Sequence, residues 1–398
     1  MVPALRKLFN DQFTDEKYQN FLKHLSGVHP GQLDFRVAET PLFISRSFKQ
    51  KMLDACESII DIINDEKFKT LTENAIPQDL LVPGENEHSH FLAFDFGICE
   101  NSEGEIEPQL IEMQGFPSMF AYQVLLPEIS TEYFFKPEGY DNYLNGFTKE
   151  TYIALSKEII LGDYQPDEVI LLDVFPTKQK TRIDFFCTED YTGIKPVCLT
   201  ELSVEGKNLF YLRDDKKIRV KRIYNRLIFD DLLQQSPEVQ EKGKILFTEL
   251  DVEWVPHPNW FYRISKYTLP FIRHPYVPAT YFLKEIKQVP TDLDQFVLKP
   301  LFSFAGQGVV VDVMEDDIKK IKDPENWILQ RKVNYANIIE TPGEFAKAEI
   351  RLFYFWKDGA VRPVATNNLA RLSKGKMVGV RYNKDKDWVG GSFCWFEK

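Results

Sequence analysis

Apolar positions change period several times along the chain, and each change predicts an element. In SFKQKMLDACESIIDIINDEKF, Met52, Leu53, Cys56, Ile59, Ile60 and Ile63 recur at helical spacing and predict an amphipathic helix whose stripe is for packing. From His90 the period becomes that of strands. HFLAFDFGI and EPQLIEMQ flank CENSEGE, whose Asn, Ser and Gly are turn formers, so an antiparallel pair is predicted, with GFPS ending its second strand.

Between residues 165 and 235, EVILLDVFP, RIDFFCT, KPVCLT and IRVKRIYNRLIF read as short apolar strands separated by loops, and DDLLQQ opens a helix. The near-continuous run VILLDVF is what a strand covered on both faces requires. Further on come a helix over TYFLKEIKQ, a strand DQFVLKP, a second strand VVVDV, and the strand segments ENWILQRKV, KAEIRLFYFWKDG and AVRPVATNNLARLS. The fold class is mixed α/β (α+β), without a fixed-period repeat.

At 398 residues, 43% hydrophobic and 27% charged, the chain is long enough for two or three globular units. Three are expected: 1–164, an N-terminal helical segment with the strand pair; 165–253, an α/β unit; and 254–398, an aromatic and Pro-rich stretch followed by the C-terminal strands. The net charge of -11 repels nucleic acid and anionic membrane, so a phosphate-bearing ligand needs a local basic pocket or a divalent cation. Five scattered cysteines without a CxxC pair, no hydrophobic leader in MVPALRKLFNDQF and no long apolar run lead to the expectation of a cytoplasmic protein with reduced thiols and no membrane span.

Candidate chemistry concentrates in two places. In VLKPLFSFAGQGVVVDV, Lys299 ends a strand and Gly306, Gln307 and Gly308 lie in the following turn. A glycine turn approaches an oxyanion closely with its N–H groups, and a lysine adds a mobile positive charge. The segment has neither the GKS/GKT of a P-loop nor GxGxxG, and it leads into a strand; a plain hairpin with glycine turns is the other reading. Lys266 upstream, and Gln330 and Lys332 downstream, are further candidates for a nucleotide.

The second place is the strand pair. Glu112 and Gln114, two residues apart, share a face, and Asp95 can join them from the neighbouring strand. Two carboxylates and an amide oxygen are a hard ligand set suited to Mg²⁺, though a solvated polar face would carry the same pattern. An alternative set lies near the C-terminal end, where Glu349 and Asn368 supply oxygens, Asn367 and Arg371 lie close by in sequence, and Arg351 can hold a phosphate or carboxylate. Arg222 and Arg226, which flank Tyr224, and Arg46 are candidates for binding a substrate carboxylate, each with a surface salt bridge as the plainer reading.

Four blocks, FDFGICENSEGEIEPQLIEMQGFPS, RISKYTLPFIRHPYVPAT, FVLKPLFSFAGQGVVV and WILQRKV, together resemble the ATP-grasp superfamily in its circularly permuted branch, which includes glutathionylspermidine synthase-like amide ligases. The resemblance implies an ATP-grasp fold with an added Rossmann-like substrate domain. It implies Mg²⁺ at Asp95, Glu112 and Gln114, and ATP at Lys266, Lys299, the glycine loop and the Gln330–Val333 strand. Lys299 and Arg351 would serve catalysis. The implied reaction joins a small-molecule or short-peptide carboxylate to an amine through an acyl phosphate. Four positions depart from the family pattern: Gln114 where Asn is usual, Arg331 and Lys332 where an acidic residue is common, and Ala93 where Arg often stands two residues before the metal Asp. A small-molecule kinase and a non-catalytic ATP-binding protein are the alternative functions.

Overall fold

The computed structural model describes residues 2–302, 308–375, 378, 383 and 385–398. Its centre is a five-stranded antiparallel sheet in the order Gly390–Ser392, Val364–Ser373, Lys347–Phe355, Phe91–Glu100 and Ile106–Gln114. The strand pair expected around residue 100 therefore forms, joined by the turn Asn101–Glu105. Lys347–Phe355 brings the C-terminal region alongside it, with Arg351 opposite Asp95.

The two faces of this sheet have different jobs. Phe94, Phe96, Ile98, Ile350 and Leu352 point into one large core, which also receives Met52, Cys56, Ile59 and Ile60 from the helix Arg46–Ile63. That helix begins where the Ser45 side chain accepts the Phe48 N–H, a standard N-cap. Phe91, Ala93, Phe353, Phe355 and Leu369 point the other way, into a second core. Farther along the same strands this second face becomes charged, and the candidate site lies there.

Four parallel strands, in the order Glu253–Val255, Arg222–Asn225, Val169–Asp173 and Lys195–Cys198, form a second sheet. Val169 to Asp173 are all buried, as the apolar run requires. Three antiparallel strands between residues 203 and 220 attach to it, and a third core joins them to Ile76, Leu80 and Val82 from the N-terminal segment. A three-stranded antiparallel sheet, Thr280–Phe282, Trp327–Arg331 and Phe296–Pro300, carries the nucleotide candidates. A last small sheet pairs Leu42–Ile44 with Cys394–Glu397, tying the two ends of the chain together.

Three elements differ from expectation. RIDFFCT lies in the helix Ile183–Thr192, closed by Gly193 at φ 81°; Ile183 and Cys187 are buried at i, i+4 spacing, and the apolar run alone did not separate strand from helix. TYFLKEIKQ is the strand Thr280–Phe282 followed by a single 3-10 turn, because Thr280 to Phe282 pair with Ile328 to Gln330. VVVDV contributes only the bridge between Val310 and Leu298. Among the described residues no helix is long and apolar enough to cross a membrane.

Asp184 joins the two large sheets. Its carboxylate is fully buried, accepts the N–H groups of Met119, Ala121 and Tyr122 just after the Ile106–Gln114 strand, and pairs with Arg226 at the end of a parallel strand. Asp184→Ala would leave three N–H groups and a buried guanidinium without their acceptor. The expected loss of unfolding free energy is about 3 kcal/mol or more, read by urea denaturation; a loss below about 1 kcal/mol would mean this junction is not a structural tie.

Candidate active site

Directly opposed residues share a face of a sheet, and alternate residues along a strand return to it. Asp95 is opposite Glu112 on one side and Arg351 on the other, and Arg371 is opposite Glu349 one strand further out. Three carboxylates and two guanidinium groups thus meet on four strands. A bulge between Asp95 and Phe96 takes up one extra residue, so Glu112 faces Asp95 while Leu110 turns into the core.

Asp95 is only 1% exposed. Arg351 donates to it through Nε at 2.5 Å and Nη2 at 2.7 Å, and Arg371 donates through Nη2 at 2.5 Å. Burial pushes the Asp95 carboxyl upward, but Arg351 and Arg371 outweigh it and hold the group below the usual carboxylate range. Glu349 goes the other way: burial, reinforced by Asp95 and Glu112, raises it against the pull of Arg371, whose Nη2 lies 2.9 Å away. Glu112 is more open, with Arg351 at 3.5 Å and the Gln114 amide donating to it at 3.2 Å.

On the nucleotide side, Lys299 donates to Gln330 Oε1 at 2.5 Å, and Gln330 donates in turn to Thr280 Oγ at 3.1 Å. Burial lowers the Lys299 ammonium below its usual range, opposed by Glu112 and Glu349. Lys266 donates to the Pro300 carbonyl at 3.1 Å. Its pKa falls to about 8, mainly by burial and further by Lys299, with Glu112 pulling the other way. Glu112 thus acts on both buried ammonium groups, joined by Glu349 at Lys299.

Not every candidate from the sequence joins this group. Gly308, at φ 75°, suits only a residue without Cβ, and Gly306 and Gln307 lie outside the described residues. Lys332 is 3.4 Å from Asp312. Asn368 is on the opposite face from Glu349 and ties Asn142 and Cys394 together, while the Asn367 amide donates to the Gln123 carbonyl, so Glu349 and Asn368 do not converge. Arg222 pairs with Glu253 and donates to the Ile159 carbonyl, and Arg226 is spent on Asp184. Arg46 is exposed at the first turn of its helix, its N–H on Glu397.

Tyr335 was not among the candidates, yet its hydroxyl donates to Glu349 at 2.5 Å. A signal existed: Gly97 sits inside a buried strand, and a glycine there marks a close approach. A Cβ on Gly97 would come within 2.8 Å of the Tyr335 ring.

Mg²⁺ takes hard oxygen donors, keeps several waters, and is commonly held by one or two carboxylates together with substrate phosphates. Among the described residues no group of three or more His, Cys, Asp or Glu is disposed to hold a metal alone. Of the facing pair, Glu112 is the carboxylate partly open to such a cation, while both Asp95 oxygens are held by Arg351 and Arg371.

A glutathione synthetase-like effector from Globodera pallida, solved in its apo form, is similar to this chain in fold, with a TM-score of 0.58 at 12% identity over 96% of each chain. No protein-family model and no curated protein matches the sequence. The likeness extends over nearly the whole mixed α/β architecture.

The depressed Lys266 ammonium has a testable sign. Between about pH 8 and the ordinary lysine range the folded chain binds fewer protons at Lys266 than the unfolded chain, so this group adds stability as pH rises there, while its hold on an anion weakens. After ¹³C reductive methylation, one dimethyl-lysine resonance should titrate near pH 8 and be missing in Lys266→Met. Titration of Lys266 with the exposed lysines would contradict this environment.

Proposed function

We propose that the chain binds ATP with Mg²⁺ between the three-stranded sheet and the charged face of the five-stranded sheet, and that it joins a carboxylate to an amine. The observation that carries this reading is the pair of buried lysines, Lys266 and Lys299, both under the influence of Glu112, which faces Asp95. The fold similarity to a glutathione synthetase-like effector supports it. So does chain order: the carboxylate strands precede the nucleotide lysines, as in the permuted ATP-grasp branch. The parallel sheet within residues 169–255 is then the added substrate domain. Five free, buried cysteines suit a cytoplasmic protein.

In this reading Lys299 and Lys266 hold the phosphate tail, and the Gln330–Val333 segment meets the adenine edge. Glu112 and Asp95, with Gln114 behind Glu112, would hold Mg²⁺, which would neutralise charge on the phosphates when bound. A substrate carboxylate oxygen attacks the γ-phosphorus, and the bond to the β-phosphate oxygen breaks to release ADP. The amine nitrogen then attacks the acyl carbon, the carbon–oxygen bond to phosphate breaks, and the amine proton passes to solvent. Lys299 and Arg351 stabilise the negative charge developed in these steps.

A second reading, nucleotide binding without turnover, draws on one feature: both Asp95 oxygens are engaged by arginine. The test is a panel of ¹⁸O-labelled carboxylates with hydroxylamine as the amine. The ligase reading predicts hydroxamate, ADP and ¹⁸O in the released phosphate, with kcat/KM about 10²-fold lower in Lys299→Ala. A stable phosphorylated product without an amine requirement would make the chain a kinase, and nucleotide binding with no turnover across the panel would favour the second reading.

A further inference from the structure

The route from the nucleotide side to the carboxylates is short and covalent. The strand Trp327–Arg331 carries Gln330, and after it the Lys332 N–H donates to the Gln295 carbonyl at 2.9 Å, still within the three-stranded sheet. Two residues later the chain has entered the five-stranded sheet. Glu100 N–H donates to Asn334 O at 2.8 Å, Ala336 N–H donates to Ile98 O at 2.9 Å, and Tyr335 bridges Cys99. Residues 334–336 thus continue the line of the Lys347–Phe355 strand beyond Glu349, which faces Gly97.

Tyr335 is fixed at this junction from both sides. Its ring lies over Gly97, where no side chain intervenes, and its hydroxyl holds Glu349 Oε1. The other Glu349 oxygen holds Arg371, and Arg371 holds Asp95. One continuous chain of contacts therefore runs from the connection between the sheets to the carboxylate at the centre of the charged face. Glu349 is 6% exposed and cannot draw on water for the donor that Tyr335 supplies.

We propose that Tyr335 is a positioning residue, which sets Glu349 and through it Arg371, so that the Asp95 carboxylate is presented according to the placement of the nucleotide-bearing sheet. It acts through Glu349 and links the two halves of the site. This inference rests on the ATP and Mg²⁺ reading for its functional consequence, but its structural content stands apart from that reading.

Two variants test it by different routes. Tyr335→Phe removes only the hydroxyl, and Gly97→Ala keeps the hydroxyl but displaces the ring. Crystal structures of both, without ligand, should show Glu349 turned away from its present position and Arg371 shifted off Asp95. Glu349 and Arg371 unmoved in both would overturn the proposal, whatever the protein binds. Calorimetry supplies the functional arm: both variants should need roughly tenfold more Mg²⁺ for half-maximal ATP binding, while ATP affinity without Mg²⁺ stays within about twofold of wild type. Equal weakening with and without Mg²⁺ would mean a general structural role and would also overturn it. Wild-type protein that binds no ATP would defeat the functional reading alone, because the crystal structures would still decide whether Tyr335 sets Glu349.

Discussion

Two guanidinium groups hold the Asp95 carboxylate inside the central sheet, and much of the structure is arranged to make that possible. A carboxylate at 1% exposure is expensive unless it is paired and fully hydrogen-bonded. Arg351 reaches it from the adjacent strand and Arg371 from the next one, so the pairing requires residues nearly 300 positions apart in sequence to lie side by side. The two cores that sandwich the sheet supply the burial, and the charged face begins where the aromatic cover of Phe91, Phe353 and Phe355 stops. Glu112 and Glu349, the less tightly held carboxylates, flank this fixed centre.

The region of the three-stranded sheet faces a different electrostatic problem. Lys266 and Lys299 are drawn together beside Glu112, and burial depresses both ammonium groups. Lys299 donates to the Gln330 amide and Lys266 to the Pro300 carbonyl, and Glu112 opposes the effect of burial on both. A phosphate chain with its cation would provide the stronger partner, which is the physical content of the proposed function. The parallel sheet is locked to the central sheet through Asp184 and Arg226.

Much of this was legible in the sequence, for reasons that differ between elements. The strand pair around residue 100 carries Phe94, Phe96 and Ile98 at alternate positions and a polar turn, and the helix Arg46–Ile63 carries an unbroken apolar stripe; both formed where the pattern placed them. Ile183–Thr192 was misread because a short apolar run fits either period, and Thr280–Phe282 because its fate depends on a partner strand about fifty residues away. The facing of Asp95 and Glu112 needed, beyond strand geometry and a turn, the bulge between Asp95 and Phe96. The roles of Arg371 and Tyr335 were not legible, since both depend on registers set across distant strands. Arg222 and Arg226 had the right chemistry for recognition, but their internal acidic partners are far away in sequence.

Whether the facing carboxylates hold Mg²⁺ together with the nucleotide is the claim on which the account turns, and calorimetry addresses it directly. Titration of ATP into the wild-type protein with and without Mg²⁺, and into the Asp95→Asn, Glu112→Gln double variant with its fold verified by circular dichroism, is the measurement to make. The account predicts Mg²⁺-dependent binding in the wild type and loss of most of that dependence in the variant. Mg²⁺-dependent binding that survives both substitutions would place the cation elsewhere and contradict the account.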